Sequence, residues 1–500
     1  MSARGSEQAL ERLRDLRRRA EDSVLPLATS IEGRRFGFQA PLRGDAVRPG
    51  AYVVLETDGP SRLGQCLRTE MAQLTAADVD VPAGEDGEGL TFRTQVGIRA
   101  LRGEGVVLEG DGRPFHDAGL RPASPDEVSQ WLRSSAPRRA GLPIGTLQLA
   151  PGVPFALDAG GFDRHTFLCG QSGSGKTYAL GLMLEQLLLH TTLRMVVLDP
   201  NSDFTRMSVL REDADEQAAH RYAEVARAIA VHRAGTDGPA RLRIRFPDLD
   251  PSAQAALLRL DPIRDRAEHA KLVEVLEDGS PAALGELIAS DDPIGVRARN
   301  LGIHRWSVWA REQGGSVIEA LADPSVRCLV VDLGSLPTRE EQALVADAVL
   351  AALWGRRTER SPVLVVIDEA HNVCPQVAED TLTAQAAEHA VRIAGEGRKF
   401  GIYLLVSTQR PQKVHENVLS QCDNLVLMRM NSAADLEYAG ALLSFVPPGL
   451  LSLATTFRLG EGLVAGKLSS HPALVRFGAR IAQEGGSDIE ATWAAGSAAD

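Results

Sequence analysis

The segment Gly170-Gln-Ser-Gly-Ser-Gly175-Lys176-Thr177 constrains this chain more than any other stretch. It fits G-x-x-x-x-G-K-[ST], a loop whose backbone turns successive N–H groups onto the phosphates of a nucleoside triphosphate. Such a loop needs a strand to deliver it and a helix to receive it. His165 to Cys169 reads as a buried strand entering the loop. Tyr178 to His190 carries apolar residues at helical spacing, so a helix N-terminus would aim its dipole at the anion. A Gly/Ser-rich turn can match the pattern by accident, but an accidental turn would not bring both flanks. The candidate nucleotide contacts are therefore Gly170, Ser172, Gly173, Ser174, Gly175, Lys176, Thr177 and the adjoining Tyr178. Lys176 would neutralise the β/γ-phosphates, and the Thr177 hydroxyl would ligate Mg²⁺.

A phosphate loop needs a carboxylate for the metal and a base for water. Three apolar runs end in aspartate: Met195 to Asp199, Cys328 to Asp332 and Val363 to Asp368. Only Asp368 is followed by a second carboxylate, Glu369. Asp368 is accordingly assigned to Mg²⁺ and Glu369 to the attacking water. Asp199 and Asp332 can lie nearby, with turn formation as their competing role. His371 can orient the base, although packing at the start of a helix is the favoured reading.

The next apolar run, Ile402 to Thr408, ends at Gln409. If it lies beside the phosphate-loop strand, Gln409 would sense the γ-phosphate or position water. Cleavage also leaves excess negative charge on the transferred group, which a guanidinium from a neighbouring subunit can stabilise. Arg398, on a glycine-flanked loop, and Arg410, next to Gln409, are both candidates, with ordinary surface arginine as the alternative for each.

Around this site the chain alternates apolar strands with helices, which implies an α/β fold whose parallel sheet is covered on both faces. Residues 141–484 form that ATPase region, with a mostly helical insertion at about 205–323. Residues 25–140 have a different texture, with short apolar alternations separated by turns such as Thr57-Asp-Gly-Pro60, and read as a small β-barrel. Residues 1–24 read as a charged helix and 485–500 as a flexible tail. No apolar run reaches the roughly 18 residues that cross a bilayer, so no membrane partner is expected. The five cysteines are scattered and form no C-x-x-C pair, which argues against a metal cluster and points to the cytoplasm. With 54 basic against 66 acidic residues, a net charge of −12 leaves the partner undecided.

The ordered set of motifs resembles the HerA family, within the HerA/FtsK superfamily of ring-forming P-loop motor ATPases. The similarity lies in Phe162 to Thr177, Asp199-Pro200, Val366-Ile-Asp-Glu-Ala-His371, Gly397-Arg-Lys-Phe-Gly401 and Ser407-Thr-Gln-Arg-Pro411. Gly460 to Gly466 followed by Pro472 looks like that family's closing strands, and Arg48 to Val53 with Leu63-Gly-Gln65 is similar to its N-terminal HAS-barrel. The resemblance implies a RecA/FtsK-like P-loop sheet, a homohexamer with ATP between subunits, and double-stranded DNA in a central channel. It further implies ATP-driven translocation alongside a NurA-like nuclease in repair or a defence effector. By motif match it carries over Gly175, Lys176, Thr177, Asp368, Glu369 and Gln409, with Arg398 as the finger acting in trans. The alternative is an ATP-gated scaffold that regulates a bound effector enzyme without moving along DNA.

Overall fold

The computed structural model describes residues 3–42, 47–82, 91–135, 139–277, 283–310 and 315–486. The expected tail lies outside them beyond Gly486. A charged helix, Ala3–Asp22, opens the chain. Six strands follow: β1 (Leu27–Ser30), β2 (Arg35–Pro41), β3 (Tyr52–Glu56), β4 (Arg62–Pro82), β5 (Thr91–Glu109) and β6 (Phe115–Pro122). They close into a barrel in the order β1-β2-β5-β4-β3-β6, with β6 pairing back onto β1. Alternation along β2 puts Phe36, Phe38 and Ala40 inside, where they meet Val53, Leu55 and Leu120.

The sequence suggested short strands throughout this region, and two of them are not short. β4 and β5 stay paired from Leu63↔Glu109 out to Pro82↔Thr91. A closed barrel of this size uses only part of that length, so the remainder is a two-stranded arm. Breaks in register between Cys66 and Arg68 and between Gln73 and Ala76 bend it.

The second body is one sheet of eleven strands: β7 (Gly141–Leu147), β8 (Pro154–Asp158), β9 (His165–Cys169), β10 (Arg194–Asp199), β11 (Ile229–Arg233), β12 (Cys328–Asp332), β13 (Val363–Ile367), β14 (Ile402–Thr408), β15 (Cys422–Met428), β16 (Glu461–Gly466) and β17 (Ala473–Phe477). Their order is β11-β12-β10-β13-β14-β9-β15-β16-β17-β7-β8. From β11 to β15 every pairing is parallel, and from β16 onwards it is antiparallel. β9, β12 and β13 are buried at every residue, as helices on both faces require.

The segment 205–323 is not wholly helical. Ile229-Ala-Val-His-Arg233 is the edge strand β11, registered on β12 from Ile229↔Cys328 to Arg233↔Asp332. It follows the helix Glu216–Ala226 so closely that the Ala-rich pattern masks its onset. The remaining helices, among them Pro251–Leu257 and Pro293–Leu301, pack against the same core as β12 and the helix Arg339–Gly355.

Two buried polar contacts pin neighbouring segments to the sheet. At the barrel junction Tyr52 Oη lies 2.6 Å from His471 Nε2, and Trp131 stacks edge-on to the same imidazole. Burial drives the His471 pKa down to about 3, so this ring is neutral and the contact carries no charge. Between the segment after β17 and the helix Lys176–His190, Arg480 and Glu185, both fully buried, meet at 2.8 Å. Gly181 makes room for them, since a Cβ there would stand 2.3 Å from the guanidinium carbon. Among the described residues no helix is long and apolar enough to cross a membrane.

Removing only the guanidinium would strand the Glu185 carboxylate in the core. Arg480→Leu should therefore cost about 3–5 kcal/mol. Pairing it with Glu185→Leu should recover most of that loss, read as the urea midpoint at unchanged slope. A single variant as stable as the native chain would contradict the account.

Candidate nucleotide site

β9 delivers the loop 170–175 at the carboxyl edge of the sheet, and the helix Lys176–His190 leaves it. Gly173 and Gly175 take φ of +69° and +88°, the left-handed region where a side chain would be strained. The first-turn amides of the helix have no partner within it, so they and the helix dipole face whatever the loop encloses. The loop is braced from both neighbouring strands. Gly170 N–H donates to the Thr408 carbonyl at 3.4 Å, and Gln171 N–H donates to the Arg429 carbonyl at 2.9 Å.

β14 lies between β9 and β13, which sets the spacing of the site. The Lys176 ammonium reaches across it to Asp368 Oδ1 at 3.1 Å and Glu369 Oε1 at 3.0 Å. It also donates to Ser407 Oγ at 3.0 Å. Burial opposes the ammonium, but Asp368 and Glu369 outweigh it and hold Lys176 above the ordinary lysine range. Burial likewise opposes the Glu369 carboxylate. The hydrogen bond from His371 and the charge of Lys176 prevail there and bring its pKa to about 2. Glu369 itself sits at φ 41°, a strained backbone for a glutamate, just before the 3-10 turn Ala370–Asn372.

His371 Nδ1 is 3.3 Å from Glu369 Oε2 and 3.1 Å from Thr408 Oγ1. This contact places His371 against Glu369, where the sequence favoured mere packing. Gln409 stands at the end of β14 with its N–H 3.4 Å from Glu369 Oε2, on the strand beside the loop that its proposed role requires. Asp199 and Asp332 shape turns. Asp199 accepts the N–H groups of Asn201, Asp203 and Phe204, and Asp332 accepts Ser202 Oγ and Ser335 N–H. Burial pushes Asp199 up to about 7 and Asp203 up to about 6, the charge of Asp368 adding to both.

The two arginines part company. Arg410 is exposed on the carboxyl edge and lines, with His371, Arg339 and Lys413, a cavity of about 760 Å³. Arg398 precedes β14 in the turn Gly397–Phe400, so it lies at the opposite edge, paired to Asp423 at 2.7 Å. Tyr178 Oη accepts Arg480 N–H at 2.8 Å, which commits it to the segment after β17. Ser172 and Gly173 are exposed at the loop's tip, while Ser174 is buried. Sequence reasoning gave no role to Ser407 or Arg429. Ser407 sat within a quoted motif, whereas nothing in the sequence marks Arg429.

The donor set suits a hard cation. Asp368 Oδ2 is buried and has no hydrogen-bond partner among the described residues, and Ser174 Oγ is in the same position. Thr177 adds a hydroxyl in the helix's first turn. No group of three or more His, Cys, Asp or Glu side chains that could hold a metal occurs among the described residues. A Mg²⁺ ion here would take the rest of its shell from phosphate and water.

The family profile described as the central domain of helicase HerA matches residues 142–308. The DNA double-strand break repair helicase HerA of Pyrococcus furiosus is 24% identical over 429 residues, covering 70% of this chain and 73% of its own. Its namesake from Sulfolobus acidocaldarius is 24% identical over 474 residues, covering 89% of this chain and 92% of its own. The chain resembles the HerA family over most of its length. The chain is a P-loop ATPase. Among solved structures, VirB4 of Thermoanaerobacter pseudethanolicus overlaps it with a TM-score of 0.48 at 15% identity, over 68% of this chain and 97% of that one.

The depressed pKa of Glu369 has a signed consequence. Its charge contacts stabilise the fold in full above the ordinary value of 4.5 and are lost as pH falls towards about 2. The stability gap between the native chain and Glu369→Gln should therefore shrink on acidification through that window, measured by denaturant midpoints at each pH. A gap that widened would contradict the arrangement.

Proposed function

We propose that this chain is an ATP-driven motor that moves double-stranded DNA through a ring of its own copies, the ring being a hexamer. The observation that carries the reading is the Lys176 cluster, in which one buried ammonium joins Asp368, Glu369 and Ser407 beneath a loop of phosphate-binding geometry. The named activity of the Pyrococcus and Sulfolobus relatives, repair of double-strand breaks, supports DNA as the substrate.

In this reading Lys176 leaves the two carboxylates and pairs with the β/γ-phosphates. Thr177 and Asp368 would hold Mg²⁺, whose contribution would be to draw charge from the phosphate oxygens. Glu369 then loses its cationic neighbour, so its pKa rises and it becomes a better base for the water that Gln409 positions. His371 keeps the carboxylate aimed. Arg398 cannot serve its own loop from the far edge, and it fits a role at the site of an adjacent copy. Arg410 stands on the correct edge for the same task within one chain or the next. A nuclease or defence effector is the expected companion of such a motor.

Lys176→Ala should abolish ATP binding and turnover. Glu369→Gln should bind ATP yet turn over about 10²–10⁴-fold more slowly. Duplex DNA should stimulate turnover in the native chain, with an affinity that falls linearly in the logarithm of salt. Turnover indifferent to DNA but altered by a partner protein would replace the motor with an ATP-gated scaffold. Mixing Lys176→Ala with Arg398→Ala subunits should restore part of the activity if the arginine acts across an interface; no restoration would remove Arg398 from that role.

A further inference from the structure

The strand end bracing the phosphate loop carries a charge to which the reading above gives no task. β15 neighbours β9 on the side away from β14 and ends at Met428, so Arg429 emerges level with the loop. Three hydrogen bonds tie the two segments together. Gln171 N–H donates to the Arg429 carbonyl at 2.9 Å. Arg429 Nη2 donates to the Gly173 carbonyl at 3.1 Å, and Asn431 N–H donates to Gln171 Oε1 at 3.1 Å.

Among the described residues no carboxylate answers the charge. Arg429 makes no ion pair among the described residues, whereas Arg398 pairs with Asp423 and Arg480 with Glu185. Its Nε is buried without an acceptor among them. A half-buried guanidinium with no carboxylate beside it and one N–H left without an acceptor is held at a cost, and such a group is found where an anion will complete it. The anion nearest to hand is the one the loop encloses.

We propose that Arg429 is a positioning residue for the nucleotide's polyphosphate, acting from the same chain as the loop. It does so in two ways. By holding the Gly173 carbonyl, it keeps a glycine at φ +69° from wandering, so the cradle is formed before the nucleotide arrives and less order is lost on binding. By standing unpaired on the adjacent strand, it adds a fixed positive charge that a purely mechanical brace would lack. This rests on the nucleotide reading of the loop and deepens it. It assigns to Arg429 ground-state binding of phosphate, a task distinct from the transition-state role considered for Arg398 and Arg410.

The test uses the full chain and compares Arg429→Ala, Arg429→Gln and Arg429→Lys for ATP turnover and for ADP binding. Loss of a charged hydrogen bond predicts that Arg429→Ala raises KM and the ADP Kd together by about tenfold, with kcat changed much less. Arg429→Lys should regain part of the affinity, and Arg429→Gln, which keeps a donor without the charge, should regain less. Should Arg429→Ala fail to fold, the Lys and Gln variants carry the comparison. Unchanged KM and Kd in Arg429→Ala, or Gln binding as tightly as Lys, would overturn the proposal. Lys176→Ala serves as the control. If it loses ADP while Arg429→Ala keeps it, only the role of Arg429 falls; if it binds ADP as the native chain does, the nucleotide reading falls too.

Discussion

One buried ammonium holds the site together. Lys176 sits under the loop with two carboxylates and a hydroxyl around it, drawn from the helix after β9 and from the ends of β13 and β14. A lone lysine at that depth would lose its proton, and two adjacent carboxylates would repel one another. Together they are mutually satisfied, which lets the sheet bury all three. The same arrangement is poised for change. Every partner of Lys176 is one that a polyphosphate could replace, and each replacement alters the charge felt by Glu369. Structure and chemistry thus meet in a single exchange of counter-ions.

The parallel sheet makes that exchange possible. Strands read from short apolar runs all point the same way from β11 to β15, so their ends line one edge. Asp199, Asp332, Asp368 and Gln409 each close such a run, and each lands there. The sequence marked them because polarity changes abruptly where a buried strand stops. It singled out Asp368 by the Glu369 beside it, but which of the others lie close to it depends on which strands are neighbours. With β14 between β9 and β13, the Ser407 hydroxyl and the Gln409 N–H face the cluster, while Asp332, two strands beyond β13 on β12, turns to its own loop.

Other features left no local trace. Arg429 lies 256 residues from Gly173 and joins it only because β15 pairs with β9. β11 follows a helix of similar composition, and its role as an edge strand comes from its partner β12. In the barrel, the length of β4 and β5 is set by cross-strand pairing that outlasts the apolar alternation. His371 was read by the company it keeps in sequence, near a helix start, and the fold instead gives it Glu369 and Thr408 as company in space. Local pattern reports burial well, and pairing poorly.

The position of Arg398 has a geometric corollary. A strand of this kind separates its two ends by roughly 20 Å, so the turn that carries Arg398 and the loop that carries Lys176 occupy opposite poles of one sheet. Were the guanidinium of one copy to complete the pocket of the next, the contact would join unlike surfaces, head to tail. Such contacts have no built-in stopping point except rotation, and they end either in a closed cycle or in an open filament. The number of subunits would then be set by the angle between successive sheets, a quantity on which the chemistry of the pocket has no bearing.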